Sequence, residues 1–135
     1  MTLVFDTSIL IDIERKSEST REQLQKLAKI YPSPAKITFI TMFEFILGIQ
    51  ERLPRNKEVA RAFLENFSVL QTTTETAKIL ATLKHKYDRA GKTFPLADLL
   101  IASLVIENRM ILLTRDKDFK AIEELTSIIL HQPQQ

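Results

Sequence analysis

The sequence has no cysteine, two histidines and two glycines among its 135 residues. Without cysteine there is no disulfide, no thiolate nucleophile and no cysteine-bound zinc. His85 and His131 are far apart and lack a metal-binding spacing. Gly48 and Gly91 cannot build a dinucleotide-binding fingerprint, a complete P-loop or a nucleophile elbow. Carboxylates therefore remain as the main chemical resource.

Long apolar runs are also missing. The most apolar charge-free run, residues 99–106, is too short to cross a bilayer. The first strand begins almost at Met1, which leaves no apparent signal peptide. We therefore expect a soluble cytoplasmic protein with no membrane association. The length predicts a single domain, residues 1–135, with a loose tail at residues 131–135.

Short apolar runs alternate with helical patterns along the chain. The pattern predicts strands at residues 3–5, 37–40, 68–70, 110–113 and 127–130. It predicts helices at residues 7–16, 19–30, 41–49, 57–67, 75–90, 96–108 and 117–125. This alternation indicates an α/β fold in which helices cover both faces of a mostly parallel five-stranded sheet.

Four carboxylates fall near one predicted edge of this sheet. Asp6 follows the first strand, and Asp116 closely follows the fourth. Glu44 lies in the first turn after the second strand, and Asp98 lies in the first turn of the helix after Pro95. Because the carboxyl ends of parallel strands share one edge, residues distant in sequence can meet there.

Each of these acids also has a structural interpretation. The T-M-F-E pattern matches a capping box that would employ Glu44. Asp6 could cap the helix that follows it, and the helix macrodipole favours Asp98 near a helix start. Asp116 could occupy a solvated turn, while Asp118 is expected to cap the last helix.

Carboxylates held together repel one another. Two unit charges about 4 Å apart cost on the order of 4 kcal/mol at an effective dielectric constant of about 20. A divalent cation removes this conflict, and a site with only oxygen ligands indicates a hard ion such as Mg²⁺ or Mn²⁺. Such ions activate water and stabilise the leaving oxygen of a phosphodiester.

The segments around these acids resemble PIN-domain ribonucleases, close to the VapC-type toxins of bacteria and archaea. The resemblance rests on VFDTSILID at residues 4–12, ITFITMFEFILG at 37–48, LADLLIASLVIENRMILLTRDKDF at 96–119 and SIIL at 127–130. It implies a three-layer α/β/α sandwich with a parallel five-stranded sheet, and metal-dependent endonuclease chemistry on RNA. It also implies a homodimer and, for a toxin, a cognate antitoxin that binds DNA.

By position, the resemblance assigns roles to individual residues. It implies that the metal-binding catalytic quartet is Asp6, Glu44, Asp98 and Asp116. Supporting polar positions are assigned in the same way to Ser8, Thr114 and Asp118.

Contacts to RNA should come from cations around the acidic pocket. Arg115 and Lys117 flank Asp116 in sequence, and Arg89 shares a predicted helix face with other basic residues. We expect these three side chains to be candidate RNA contacts, although charged surface positions are also common for purely structural reasons.

Three alternatives differ in class. A phosphoacceptor receiver domain would need an aspartate after the third strand, where the sequence reads VLQTTTET. A haloacid-dehalogenase-type phosphatase would need a second aspartate where Ser8 stands. A catalytically inactive PIN-like module that binds RNA or protein stays open, because an acidic quartet does not by itself prove turnover.

Overall fold

The fold is built on one parallel sheet, seen in a computed structural model that describes residues 1–131. The predicted loose tail lies outside the described residues, apart from His131. The strands are β1 (Leu3–Phe5), β2 (Lys36–Thr38), β3 (Ser68–Leu70), β4 (Ile111–Thr114) and β5 (Ser127–Ile129). All neighbouring strands pair in parallel, in the order β3-β2-β1-β4-β5. The predicted five-stranded sheet is confirmed.

Helices cover both faces of this sheet. They are α1 (Thr7–Glu14), α2 (Glu18–Ile30), α3 (Phe39–Gly48), α4 (Pro54–Leu64), α5 (Thr74–Arg89) and α6 (Leu96–Glu107). Side chains alternate between the faces of a strand. Val4 therefore packs with α5 and α6, whereas Leu3 and Phe5 pack with α1, α3 and α4. The result is a three-layer α/β/α sandwich.

Several element boundaries differ from those predicted; α4, for example, spans Pro54–Leu64 instead of residues 57–67. The second strand ends at Thr38 instead of residue 40, and α3 begins at Phe39. The reason is a helix cap, since the Thr38 hydroxyl accepts a hydrogen bond from the Thr41 amide at 3.1 Å. The last predicted helix, residues 117–125, is only a 3₁₀ helix, Lys117–Ala121. Among the described residues, no helix is long and apolar enough to cross a membrane.

The strand order determines where a site can form. The chain moves outward from β1 to β2 and β3 on one side, then returns to β4 and β5 on the other. The order therefore switches at β1 and β4, and the crevice beyond their carboxyl ends is the position where such folds bind ligands.

Candidate active site

Asp6 lies directly beyond β1 and is the most enclosed of the four acids, with 7% of its surface exposed. It occupies the N-cap position of α1 but makes no capping hydrogen bond through its side chain. Instead, its Oδ2 accepts a hydrogen bond of 2.7 Å from the Thr114 hydroxyl at the end of β4. Burial raises the pKa of Asp6, and the Thr114 hydrogen bond partly opposes that rise. The interpretation of Asp6 as a side-chain cap is therefore wrong.

Glu44 reaches the same edge from α3. The Thr38 cap starts this helix, so Glu44 lies in its second turn and the capping-box interpretation is also wrong. Its Oε1 accepts a hydrogen bond of 2.6 Å from the Thr7 hydroxyl in the first turn of α1. Thr7 therefore connects the helix after β1 to the helix after β2. The D-T-S segment contains Thr7, but nothing in the sequence pattern predicts this contact with Glu44.

Asp98 is the position where the acids influence one another most. It lies in the first turn of α6, which begins after Pro95. Burial, followed by the negative charges of Asp116, Asp6, Glu44 and Asp118 in decreasing order, raises the pKa of Asp98 to about 6. The structure thus brings the other four predicted acids within electrostatic range of Asp98.

Thr114 organises the loop after β4. Besides donating to Asp6, its hydroxyl accepts a hydrogen bond of 3.0 Å from the Asp116 amide. The Ser8 hydroxyl accepts one of 3.3 Å from the Arg115 amide. Two of the three predicted supporting positions, Ser8 and Thr114, therefore hold backbone beside the acids. A buried threonine with two such hydrogen bonds fixes the direction in which the chain leaves β4.

Asp116, and not Asp118, caps the 3₁₀ helix. Asp116 Oδ1 accepts a hydrogen bond of 2.9 Å from the Asp118 amide. The predicted cap at Asp118 is therefore wrong, because that residue is the donor in this bond and lies within the helix. Asp116 keeps its second carboxylate oxygen for other partners, and both residues are exposed at the edge.

Arg115 does not reach outward toward a substrate. Its guanidinium contacts the Asp12 carboxylate and the Thr20 hydroxyl, and donates to the His131 carbonyl at 2.8 Å. Only 9% of its side chain is exposed. These contacts within the chain do not favour the RNA contact predicted for Arg115, which stays a prediction. The position of Arg115 next to Asp116 in sequence suggests a side chain that points toward the acids, but the guanidinium points toward Asp12 and Thr20.

Lys117 and Arg89 remain exposed. Within residues 1–131, neither takes part in an ion pair. Lys117 begins the 3₁₀ helix beside Asp116, and Arg89 ends α5. Both therefore have a cationic group available to an anionic ligand. The cationic group of Arg115, by contrast, is paired with Asp12.

The oxygen donors of the acids suit a hard cation, but the side chains are not spaced closely enough to enclose one. All the donors are oxygens, and the raised pKa of Asp98 shows repulsion that a cation would relieve. However, no three acidic or histidine side chains of the described part already enclose a position for a metal ion. The side chains would have to draw closer to hold one.

The fold and the site define an α/β protein with acids at the carboxyl edge of a parallel sheet, an arrangement in which a divalent cation can be held beside a phosphate group. The sequence model of the PIN domain matches residues 3–125. The chain therefore belongs to the PIN domain family. Ribonucleases of this family depend on metal ions in general.

Comparisons with individual proteins agree. Ribonuclease VapC1 of Rickettsia felis is 32% identical over 131 residues, which cover 93% of each chain. The crystal structure of VapBC2 from Rickettsia felis bound to a promoter DNA fragment shares the fold with a TM-score of 0.82, 23% identity and coverage of 96% of this chain and 98% of that one. The toxin–antitoxin complex from Klebsiella pneumoniae has a TM-score of 0.77, 23% identity and coverage of 98% and 100%.

Proposed function

We propose that the protein is a metal-dependent endoribonuclease that hydrolyses RNA phosphodiesters at the carboxyl edge of the sheet. The observation that carries this proposal is the gathering of carboxylates beyond β1 and β4: Thr114 donates to Asp6, Thr7 donates to Glu44, and burial together with the neighbouring negative charges raises the pKa of Asp98. The similarity to a relative named as a ribonuclease supports RNA as the substrate. We assign Asp6, Glu44, Asp98 and Asp116 as the catalytic and metal-binding residues.

Mg²⁺ or Mn²⁺ is the proposed ion, since both prefer oxygen ligands. When bound, it would supply an acidified water as nucleophile and stabilise the leaving oxygen. Thr114 and Thr7 hold Asp6 and Glu44 as acceptors, which limits the orientations of both carboxylates. Ser8 and Thr114 fix the backbone that carries Asp116.

The remaining polar residues have supporting roles in this proposal. Asp118 contributes negative charge beside Asp98. Lys117 and Arg89 are the proposed RNA contacts, because both are exposed and, within the described range, outside every ion pair. Contacts of this kind position the phosphate backbone and make binding sensitive to salt.

An antitoxin protein is the proposed partner. The support is the similarity in fold to toxin–antitoxin complexes, one of them bound to promoter DNA, together with the 32% identity to ribonuclease VapC1. The chain would then be a toxin acting on RNA in the cytoplasm. Its expression alone should arrest bacterial growth, and co-expression of the antitoxin should restore it.

A homodimer is proposed through α3. Phe39, Phe43 and Leu47 are spaced by four residues along one face of this helix and are 41%, 52% and 59% exposed. With Met42 and Ile46 they line an apolar depression. An exposed row of large apolar side chains is unfavourable in water, and a second copy would cover it.

One observation favours a second candidate, a PIN domain that binds RNA or protein without turnover. As described over residues 1–131, no three acids already surround an ion position. If binding did not draw the carboxylates together, RNA would bind without being hydrolysed.

The test is cleavage of a panel of labelled RNAs in Mg²⁺, Mn²⁺ or EDTA. The native protein is compared with Asp6→Asn and Asp98→Asn, and with Glu22→Gln as a control on an exposed carboxylate of α2. The proposal expects cleavage that needs the ion, disappears in both site variants and persists in the control. Cleavage that survives both site variants would overturn the site, while RNA binding without cleavage by the native protein would favour the second candidate.

A further inference from the structure

A second concave feature lies beside the acidic edge and shares Asp118 with the site described above. This loop cavity has a volume of about 380 Å³ and is lined by Lys92, Thr93, Phe94, Pro95, Asp118 and Ala121. The loop between α5 and α6 forms one side, and the 3₁₀ helix forms the other. Gly91, with φ of +74°, turns the chain out of α5 into this loop.

The loop cavity adjoins the acidic site through two residues. Asp118 lines the cavity and also lies close enough to Asp98 to raise its pKa. Pro95 lines the cavity as well, and its carbonyl accepts a hydrogen bond of 3.1 Å from the Asp98 amide. A chain molecule bound across the acids could therefore continue into the cavity.

Charge in the loop cavity is distributed unevenly. Lys92 is the one cation in its lining, and within residues 1–131 it forms no ion pair. Its Nζ lies 5.9 Å from the centre of the Tyr87 ring, and that ring packs edge-on against Phe94 of the lining. Asp118 opposes an anion at its own end, so a phosphate is favoured at the Lys92 end.

The remaining lining is suited to the rest of a nucleotide. Thr93 is exposed and carries a hydroxyl that can donate or accept a hydrogen bond. Phe94 and Pro95 supply apolar surface, and Phe94 is held edge-on against Tyr87 with ring centres 5.1 Å apart. Apolar walls beside one cation are the combination that single-stranded nucleic acid recognition uses.

We propose that the loop cavity binds the nucleotide of single-stranded RNA next to the cleaved phosphodiester, with Lys92 contacting that nucleotide's phosphate. This inference rests on the proposed RNA substrate of the acidic site. Lys92 would be a binding residue that positions the substrate, distinct from the acids that perform hydrolysis.

The experiment measures RNA binding separately from cleavage. Fluorescence anisotropy of a labelled single-stranded RNA is recorded with protein carrying Asp98→Asn, at several salt concentrations. Adding Lys92→Gln should raise Kd roughly threefold to tenfold and lower the slope of log Kd against log salt by about 0.7, as for one lost phosphate contact. Lys92→Arg should retain binding, and Lys26→Gln, an exposed lysine on α2, should change neither quantity.

A second variant tests occupation of the loop cavity without a change of charge. Ala121→Trp would fill the space between the loop and the 3₁₀ helix. It should raise Kd while leaving the salt slope unchanged, and a thermal melt verifies that the variant is folded. Unchanged Kd for both Lys92→Gln and Ala121→Trp would overturn the proposed subsite.

The outcomes separate this inference from the proposed function. If the native protein cleaves RNA and both cavity variants match it in Kd, KM and kcat, the subsite is wrong and the nuclease stands. If both variants weaken RNA binding but the native protein cleaves nothing, the subsite stands and the nuclease fails. If the protein carrying only Asp98→Asn binds no RNA, the proposed subsite is wrong.

Discussion

Asp98→Asn should stabilise the protein in the absence of metal at neutral pH. The pKa of Asp98 is raised from 3.8 to about 6, so the folded state binds a proton more tightly than the unfolded state does. The stability that Asp98 contributes is therefore fully present below about pH 3.8 and is lost as pH rises through about 6. Above that window the native carboxylate is charged among like charges, and the amide variant avoids this cost.

The size of the effect follows from the pKa shift. About two pKa units correspond to at most about 3 kcal/mol, and solvent screening at this half-buried carboxyl reduces the expected gain to about 1 kcal/mol. For a domain of this size, that gain raises Tm by roughly 4 °C. The measurement is thermal unfolding with EDTA at about pH 7.5 and again at about pH 4.5, where the difference in Tm should fall to roughly a third of its value at pH 7.5.

The same thermal unfolding experiment with added metal should give the opposite ranking of the two proteins. Millimolar Mn²⁺ should raise the Tm of the native protein, because an ion that binds only the folded state stabilises it. It should raise the Tm of Asp98→Asn much less, and Glu22→Gln should behave like the native protein. Equal Tm values for native protein and Asp98→Asn at both pH values would refute the reasoning, since they would mean that neither burial nor the neighbouring acids raise the pKa of Asp98.

Three other changes test separate contacts. Thr114→Val removes the hydrogen bond to Asp6 and should cost about 1–3 kcal/mol in urea unfolding, whereas Thr114→Ser should retain most of that stability. Arg115→Lys should cost about 2 kcal/mol in the same assay, because lysine cannot reproduce the fork that contacts Asp12 and Thr20; a stability equal to the native value would contradict the structural role. Leu47→Lys should convert a dimer to a monomer in light scattering, and a native protein that is already monomeric would refute the α3 interface.

The sequence predicts both the order of the elements and the position of the acids at one edge of the sheet. In a parallel sheet the position of a residue after a strand determines the edge where it lies, independent of its distance along the chain. Asp6 and Asp116 are more than a hundred residues apart, yet the pairing of β1 with β4 brings them to neighbouring strand ends. Periodicity and a few turn residues were enough for this inference.

Side-chain directions could not be predicted in this way. Thr38 and Thr41 are both good caps three residues apart, and only the structure shows that the first one starts the helix. Arg115 stands beside Asp116 in sequence, but its partners lie on α1 and α2. The partnership of Thr7 with Glu44 depends on the packing of α1 against α3. Each of these is a long-range contact that local propensity does not encode.

The arrangement of threonines explains how such a site can exist before an ion binds. A buried carboxylate loses water and needs hydrogen bonds in compensation. Thr114 supplies one to Asp6 and Thr7 supplies one to Glu44, and both donors belong to rigid elements next to the acids. Asp98 has no threonine of this kind among the described contacts, and its pKa is the one raised to about 6. The fold therefore holds Asp6 and Glu44 in place, while Asp98 experiences a repulsion that a cation would remove. Asp98 is consequently the residue at which ion binding and folding stability are most directly coupled.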